Sequence, residues 1–208
     1  MILLLNLKTY VLKQDREIWE NFKSGDQSAL SYVYFQYFHS MFQYGIRFKD
    51  DPEFVKDCIQ DVFFKLIQAG EKLSSTENIR FYLFRALKNA IYKEIDKIKK
   101  IELVESVSMK FEAPFLLEEE LAEKENASKK ELALLKALNE LSDRQREIIY
   151  LRFDCTMEYD QICDIMQLKN DSARKLLFRA IKSLRETIDD QLKLPILFLI
   201  RCSQKHVL

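Results

Sequence analysis

Residues 158–186 read "EYDQICDIMQLKNDSARKLLFRAIKSLRE". A short periodic helix, a turn at 167–170 and a longer helix follow in that order, the layout of a helix-turn-helix. Placed about 100° apart, Leu176, Leu177, Ala180, Ile181 and Leu184 form the buried face of the longer helix, 171–185. Ser172, Lys175, Arg179 and Lys182 share the exposed face, with Arg174 at its edge. Residues 166–188 hold six basic side chains against two acids, a local charge of +4 in a chain whose total is zero. A charge run alone is often only a solvated face. On the second helix of such a motif it fits duplex DNA, where Arg and Lys read guanine edges and Ser grips phosphate.

Working outward, "ELALLKALNELSDRQREIIYLRF" (131–153) supplies a helix, a Ser-Asp restart and another helix, which completes a small domain over 131–190. Before it, periodicity weakens. Residues 111–131 carry seven Glu and three Lys, including the run Glu118, Glu119 and Glu120. Residues 101–130 are expected to be a flexible acidic linker. A second helical domain is expected over 12–100, with helices at 15–24, after the cap Asp26, from Pro52 to Gly70, and from about Asn78 to Lys100. The fold class is therefore all-α: two small helical domains on a linker, with an apolar tail at 191–208.

The helix at 78–100 differs from the last one. Residues 79–100 hold seven basic side chains and two acids, with Phe81, Tyr82, Phe84 and Tyr92 interleaved. Phe81 and Phe84 suit the core, whereas tyrosine hydroxyls tolerate water. Cations beside exposed rings suit single-stranded nucleic acid, since the cations neutralise phosphate and the rings stack on unpaired bases. Arg80, Tyr82, Arg85, Lys88, Asn89 and Tyr92 are the candidate residues there. Two basic surfaces, one for duplex and one for melted strand, call for DNA with two elements at a fixed separation.

Upstream, the aromatics of 27–48 (Tyr32, Tyr34, Phe35, Tyr37, Phe38, Phe42, Tyr44, Phe48) are expected mostly in the core. The next helix contains "DCIQDVFFKL" (57–66), whose Cys58, Ile59, Val62, Phe63 and Leu66 share one face. Phe64 instead falls between Asp57 and Asp61 on the charged face. An aromatic among acids is misplaced for a core and well placed for a partner's basic surface.

Composition agrees with long helices. The 208 residues include only 3 Gly and 3 Pro, and 48% are hydrophobic, enough for a core and too many for global disorder. Acids and bases balance at 33 each, so only local charge is informative. Cys58, Cys155, Cys163 and Cys202 form no C-x-x-C pair, and His39 and His206 lie far apart. Reduced thiols without a metal are expected, and no cofactor. "MILLLNLKTYVL" lacks the basic start of a signal peptide, and "LPILFLI" (194–200) is shorter than the roughly 20 residues of a membrane span. No membrane insertion is expected. No glycine-rich phosphate loop or nucleophile motif marks an enzyme.

The chain resembles bacterial RNA polymerase sigma factors of the extracytoplasmic-function type over roughly 15–100 and 131–187. "GDQSALSYVYFQYFHSMF" (25–42) is similar to the opening of region two, "DCIQDVFFKL" to its polymerase-binding helix, and "NIRFYLFRALKNAIYKEI" (78–95) to its promoter-melting and minus-ten segment. "LNELSDRQREIIYLRF" (138–153) and the opening stretch are similar to region four, which reads the minus-thirty-five element. The resemblance implies that Asp57, Gln60 and Asp61, with Phe64 beside them, meet the β′ clamp helices of core polymerase. It implies contact with the β flap, with promoter DNA and with an anti-sigma factor, and a cytoplasmic site of action. Asn89 falls on the family's minus-ten Asn, and Arg174, Lys175 and Arg179 fall in the recognition helix. Lys93 and Asp96 stand where the family often has Asp and Arg, and Gln167 stands in a turn that often carries Gly. Two rivals remain on the residues alone: a helix-turn-helix regulator acting without polymerase, and a helical interaction module with no nucleic-acid role.

Overall fold

A computed structural model of the protein describes residues 14–102, 110–112 and 129–187. The apolar ends, the acid run at 118–120, Cys202 and His206 lie outside the described residues. No strand occurs among the described residues. The chain divides into two compact units, residues 1–108 and 109–208.

The first unit is a bundle of α1 (Asp15–Lys23), α2 (Gln27–Gly45), α3 (Pro52–Ala69) and α4 (Ile79–Glu102). The starts of α2, α3 and α4 are set by side-chain caps, which satisfy backbone N–H groups left free at a helix N-terminus. The Asp26 carboxylate accepts from the N–H of Ser28 and Ala29, each at 2.8 Å. Asp51 accepts from the Phe54 N–H, with Pro52 in the first turn; that N–H and then Lys49 hold its carboxyl below the usual range. Asn78 accepts from the Phe81 N–H at 2.8 Å. Asp15 accepts from the Ile79 N–H across the bundle at 2.8 Å and so ties α4 to α1.

Trp19 is fully buried, with its indole N–H donating to the Ser74 carbonyl at 2.9 Å. Tyr44 lies between Phe48 and Phe84, with ring centroids at 5.0 and 4.8 Å. Gly45 admits Val55 so closely that a Cβ there would stand 2.6 Å from the valine Cγ1.

The aromatics of residues 27–48, seven on α2 and Phe48 just after it, correct the sequence reading. Among the eight rings only Tyr37, Tyr44 and Phe48 are buried, and Phe35 is 64% exposed. They run around more of the helix than α1, α3 and α4 cover. The outer ones pair with one another instead, Tyr34 with Phe35 at 5.7 Å and Phe38 with Phe42 at 6.3 Å.

The second unit holds α5 (Lys129–Asn139), α6 (Asp143–Ile149), α7 (Tyr159–Met166) and α8 (Asn170–Thr187). A π-helical turn, Tyr150–Asp154, extends α6. Ala173, Leu177, Ala180 and Leu184 are the buried stripe of α8, which packs against α5, α6 and α7. Leu176 and Ile181, expected in that stripe, are only partly covered, and Ala173 replaces them. Spacings of four, three and four residues keep 173, 177, 180 and 184 on one line, and 176 and 181 flank it. Part of the expected linker is also ordered: Phe111 is buried against Tyr150, with ring centroids at 6.0 Å.

The turn between α7 and α8 is made by Gln167 in the left-handed conformation, φ 52° and ψ 52°. Its N–H donates to the Cys163 carbonyl, and the Leu168 N–H reaches the same oxygen at 2.9 Å. A non-glycine residue there costs on the order of 1 kcal/mol. Gln167→Gly should therefore raise the stability of this unit by about 0.5–1 kcal/mol, a gain of a few degrees in Tm. Thermal unfolding followed by circular dichroism checks this, and an unchanged or lower Tm would remove the strain assignment.

Candidate functional surfaces

The first surface is a groove between α2 and α3. Leu30, Tyr34, Asp57, Gln60, Asp61, Phe63, Phe64 and Ile67 line a volume of about 540 Å³. All four candidates from this helix, Asp57, Gln60, Asp61 and Phe64, meet there. Phe64 is 59% exposed, whereas Phe63 is buried with its ring 5.0 Å from Tyr34. Ile67 is 49% exposed and was missed in the sequence; its signal was an apolar residue three positions after Phe64, on the same face. Asp61 pairs with Lys65 on the open surface, a contact worth little in water. Cys58 of α3 is buried, and burial pushes its thiol up to about 11.

The second surface runs along α4. Arg85 and Asn89 are exposed, and Tyr92 is 37% exposed. Their spacing of four and three residues makes one stripe. Arg80 and Tyr82 are partly covered, and the Tyr82 ring packs on Trp19 at 4.7 Å. Lys88 is a correction. Expected on the exposed face, it is only 8% exposed. Its Nζ lies 5.8 Å from the Phe48 ring centroid and 5.5 Å from that of Tyr92. Attraction of the ammonium to the two rings offsets part of its desolvation. Lys88 braces Tyr92 from below while Arg85 and Asn89 face outward. Lys93 is also exposed, and Asp96 pairs with Lys99 at 4.0 Å.

The third surface is the outer face of α8. Ser172, Arg174, Lys175, Arg179 and Lys182 are all exposed there. Arg174 is held in place: its guanidinium lies 4.9 Å from the Tyr159 ring centroid, and its Nε donates to Asn170 Oδ1 at 2.7 Å. Asn170 in turn donates to Asp160 at 3.0 Å. Arg152 lies 5.2 Å from the same Tyr159 ring. Phe178 is 68% exposed among these cations and was missed in the sequence. The available signal was the one that marked Phe64, an aromatic displaced from the apolar stripe.

Among the described residues, no group of three or more His, Cys, Asp or Glu side chains gathers into a metal site. No described helix is long and apolar enough to cross a membrane.

Comparison with known proteins places both units. The family model described as Sigma-70 region 2 matches residues 36–101, and that described as Sigma-70, region 4 matches 131–184. Together they cover more than half of the chain. RNA polymerase sigma factor SigV of Bacillus subtilis (strain 168) is 25% identical over 129 residues, 62% of this chain and 72% of that protein. Two solved structures share the fold. One is the sigma factor RpoE of Bartonella quintana in complex with the anti-sigma factor NepR, with a TM-score of 0.52 and 21% identity over 74% of this chain and 92% of that one. The other is CnrH in complex with the cytosolic domain of CnrY, with a TM-score of 0.54 and 18% identity over 83% and 95%.

Proposed function

The chain belongs to the sigma-70 family as a sigma factor of the extracytoplasmic-function type, a promoter-directing initiation factor, and we propose that its three surfaces divide that work. The groove of α2 and α3 docks on the β′ clamp helices of core polymerase. Phe64 and Ile67 bury apolar surface there while Asp57 and Asp61 meet basic side chains. The α4 stripe of Arg85, Asn89 and Tyr92, braced by Lys88 and flanked by Arg80 and Tyr82, holds the unpaired minus-ten strand. The α8 face of Ser172, Arg174, Lys175, Arg179 and Lys182 reads the minus-thirty-five duplex, with the second unit near the β flap. Phe178 on that face suits contact with a thymine methyl group.

One observation carries the polymerase part: a 59% exposed phenylalanine in an acid-rimmed groove, within the segment that matches region two. A regulator that binds duplex DNA by itself has no use for such a face. An anti-sigma factor is the expected second partner, covering the same surfaces. The complexes of RpoE with NepR and of CnrH with CnrY support that reading. The cytoplasm, where core polymerase works, is the expected compartment.

Strand capture has its own test. The doubly substituted Asn89→Ala, Tyr92→Ala chain, assembled with core polymerase, should bind a forked probe with an unpaired minus-ten strand about tenfold or more weakly, since one stacked base is worth about 1–3 kcal/mol. Binding to the fully paired probe should change little. Fluorescence anisotropy measures both, and equal losses on the two probes would remove the α4 assignment.

A further inference from the structure

The segment that leads into α7 is fixed by its own contacts. Arg152, in the π-helical turn, donates from Nη1 to the Met157 carbonyl at 2.6 Å and pairs with Glu158 at 3.3 Å. The Met157 N–H donates to the Leu151 carbonyl at 3.0 Å. Between these contacts Thr156 takes φ 54°, a left-handed conformation that a β-branched residue holds only when its surroundings impose it. Glu158 and Gln161 close a capping box at the start of α7. Tyr159 is the first residue of that helix, so its backbone is held from both sides.

The Tyr159 ring meets two cations. The guanidinium of Arg152 lies 5.2 Å from its centroid and that of Arg174 lies 4.9 Å away. Arg152 is tied to its own loop, whereas Arg174 is exposed on α8. A polar chain reaches Arg174 as well. Its Nε donates to Asn170 Oδ1 at 2.7 Å, and Asn170 donates to Asp160 at 3.0 Å. Asp160 follows Tyr159 on α7. Ring and polar chain therefore both run from the start of α7 to the same guanidinium.

That arrangement suits one kind of base. A guanidinium has five N–H donors. Donation from Nε leaves the four on the two terminal nitrogens, which can span O6 and N7 of guanine. The ring limits where the guanidinium plane can lie, and the Asn170 oxygen limits its rotation. An arginine free in water must lose that freedom when it reaches a base edge, and here folding has already restricted it. We propose that Tyr159 is a specificity-determining positioning residue, which acts through Arg174 to favour guanine at one place in the minus-thirty-five element. Asn170 and Asp160 belong to the same device. The inference rests on the reading of α8 as the minus-thirty-five surface. It adds a side chain from the first helix of the motif, outside the basic face.

The test uses holoenzyme assembled from the full chain and a promoter fragment found by run-off transcription. Companion fragments carry each single-base change across the minus-thirty-five element, and fluorescence anisotropy gives the preference at each position. The guanine in question is the position whose preference disappears in Arg174→Ala, and in wild type that preference should be about tenfold or more. Tyr159→Leu should lower it about threefold or more, with the other preferences and Tm little changed. Tyr159→Phe keeps the ring and should keep the preference. In an Arg174→Ala background, Tyr159→Leu should change nothing further. Asn170→Ala removes the other hold from an exposed position and should lower the same preference, which decides the matter if Tyr159→Leu does not fold. An unchanged preference in both Tyr159→Leu and Asn170→Ala, an equal loss in Tyr159→Phe, a uniform loss at every position, or a loss that persists without Arg174 would overturn the proposal. If Arg174→Ala itself leaves every preference intact, the reading of α8 fails, and this proposal fails with it.

Discussion

Replacing Phe64 with alanine should weaken binding to core RNA polymerase by about thirtyfold or more while leaving Tm nearly unchanged. The two halves of that expectation come from one fact, the ring's 59% exposure on α3. A side chain so open contributes little to folding, and surface changes of this kind usually stay within about 0.5 kcal/mol. The same ring on a partner would be fully desolvated beside Ile67, Tyr34 and Leu30 in the groove. Truncating an aromatic anchor of that kind costs about 2 kcal/mol or more. Asp61→Arg is the electrostatic counterpart. It puts a cation where the partner is expected to be basic, and like charges across an interface cost several kcal/mol. Titration of labelled core polymerase with each variant measures the loss. A dissociation constant unchanged for both would move the polymerase contact elsewhere.

The second large effect is expected on α8. Changing Arg174, Lys175 and Arg179 together to alanine should reduce minus-thirty-five-dependent binding of the holoenzyme by about a hundredfold or more. Each well-placed pair with a base edge is worth about 1–3 kcal/mol. Part of the loss should be ionic, with the slope of log affinity against log salt falling by up to about 3. Arg174 should dominate among the single changes, because Tyr159 and Asn170 already hold its guanidinium. A preorganised side chain loses less entropy on binding than a free one. Filter binding over a salt series checks both parts. Equal losses on a scrambled minus-thirty-five element would leave only phosphate contact on this face.

Helix starts were legible because short polar side chains make them. Asp26, Pro52 and Asn78 mark starts in the sequence, and the structure uses the first and last as hydrogen-bonding caps. The turn at Gln167 was legible as a turn, and its positive φ follows from the geometry that joins α7 to α8. Which side chains a neighbouring helix covers was harder to read. A helical projection places Lys88 on the cationic side of α4, yet Phe48 and Tyr92 enclose it. The same projection counts Leu176 and Ile181 as core, although α5, α6 and α7 cover only the line from Ala173 to Leu184. Phe64 was found because two acids flank it. Ile67 lacked that contrast and read as an ordinary apolar position, whereas Phe178 carried it, among cations in place of acids, and was passed over. Phe111 lay in a weakly periodic acidic stretch, and only its distant partners Arg146 and Tyr150 give it a place.

The most direct measurement is run-off transcription from genomic fragments with core polymerase, core plus the wild-type chain, and core plus Phe64→Ala. New transcripts from a defined set of start sites should appear with wild type, be absent from core alone, and fall sharply with Phe64→Ala when the factor is limiting. If the chain adds no start sites, or if Phe64→Ala supports them at limiting concentration as well as wild type does, the account of this groove as the polymerase-docking surface is contradicted.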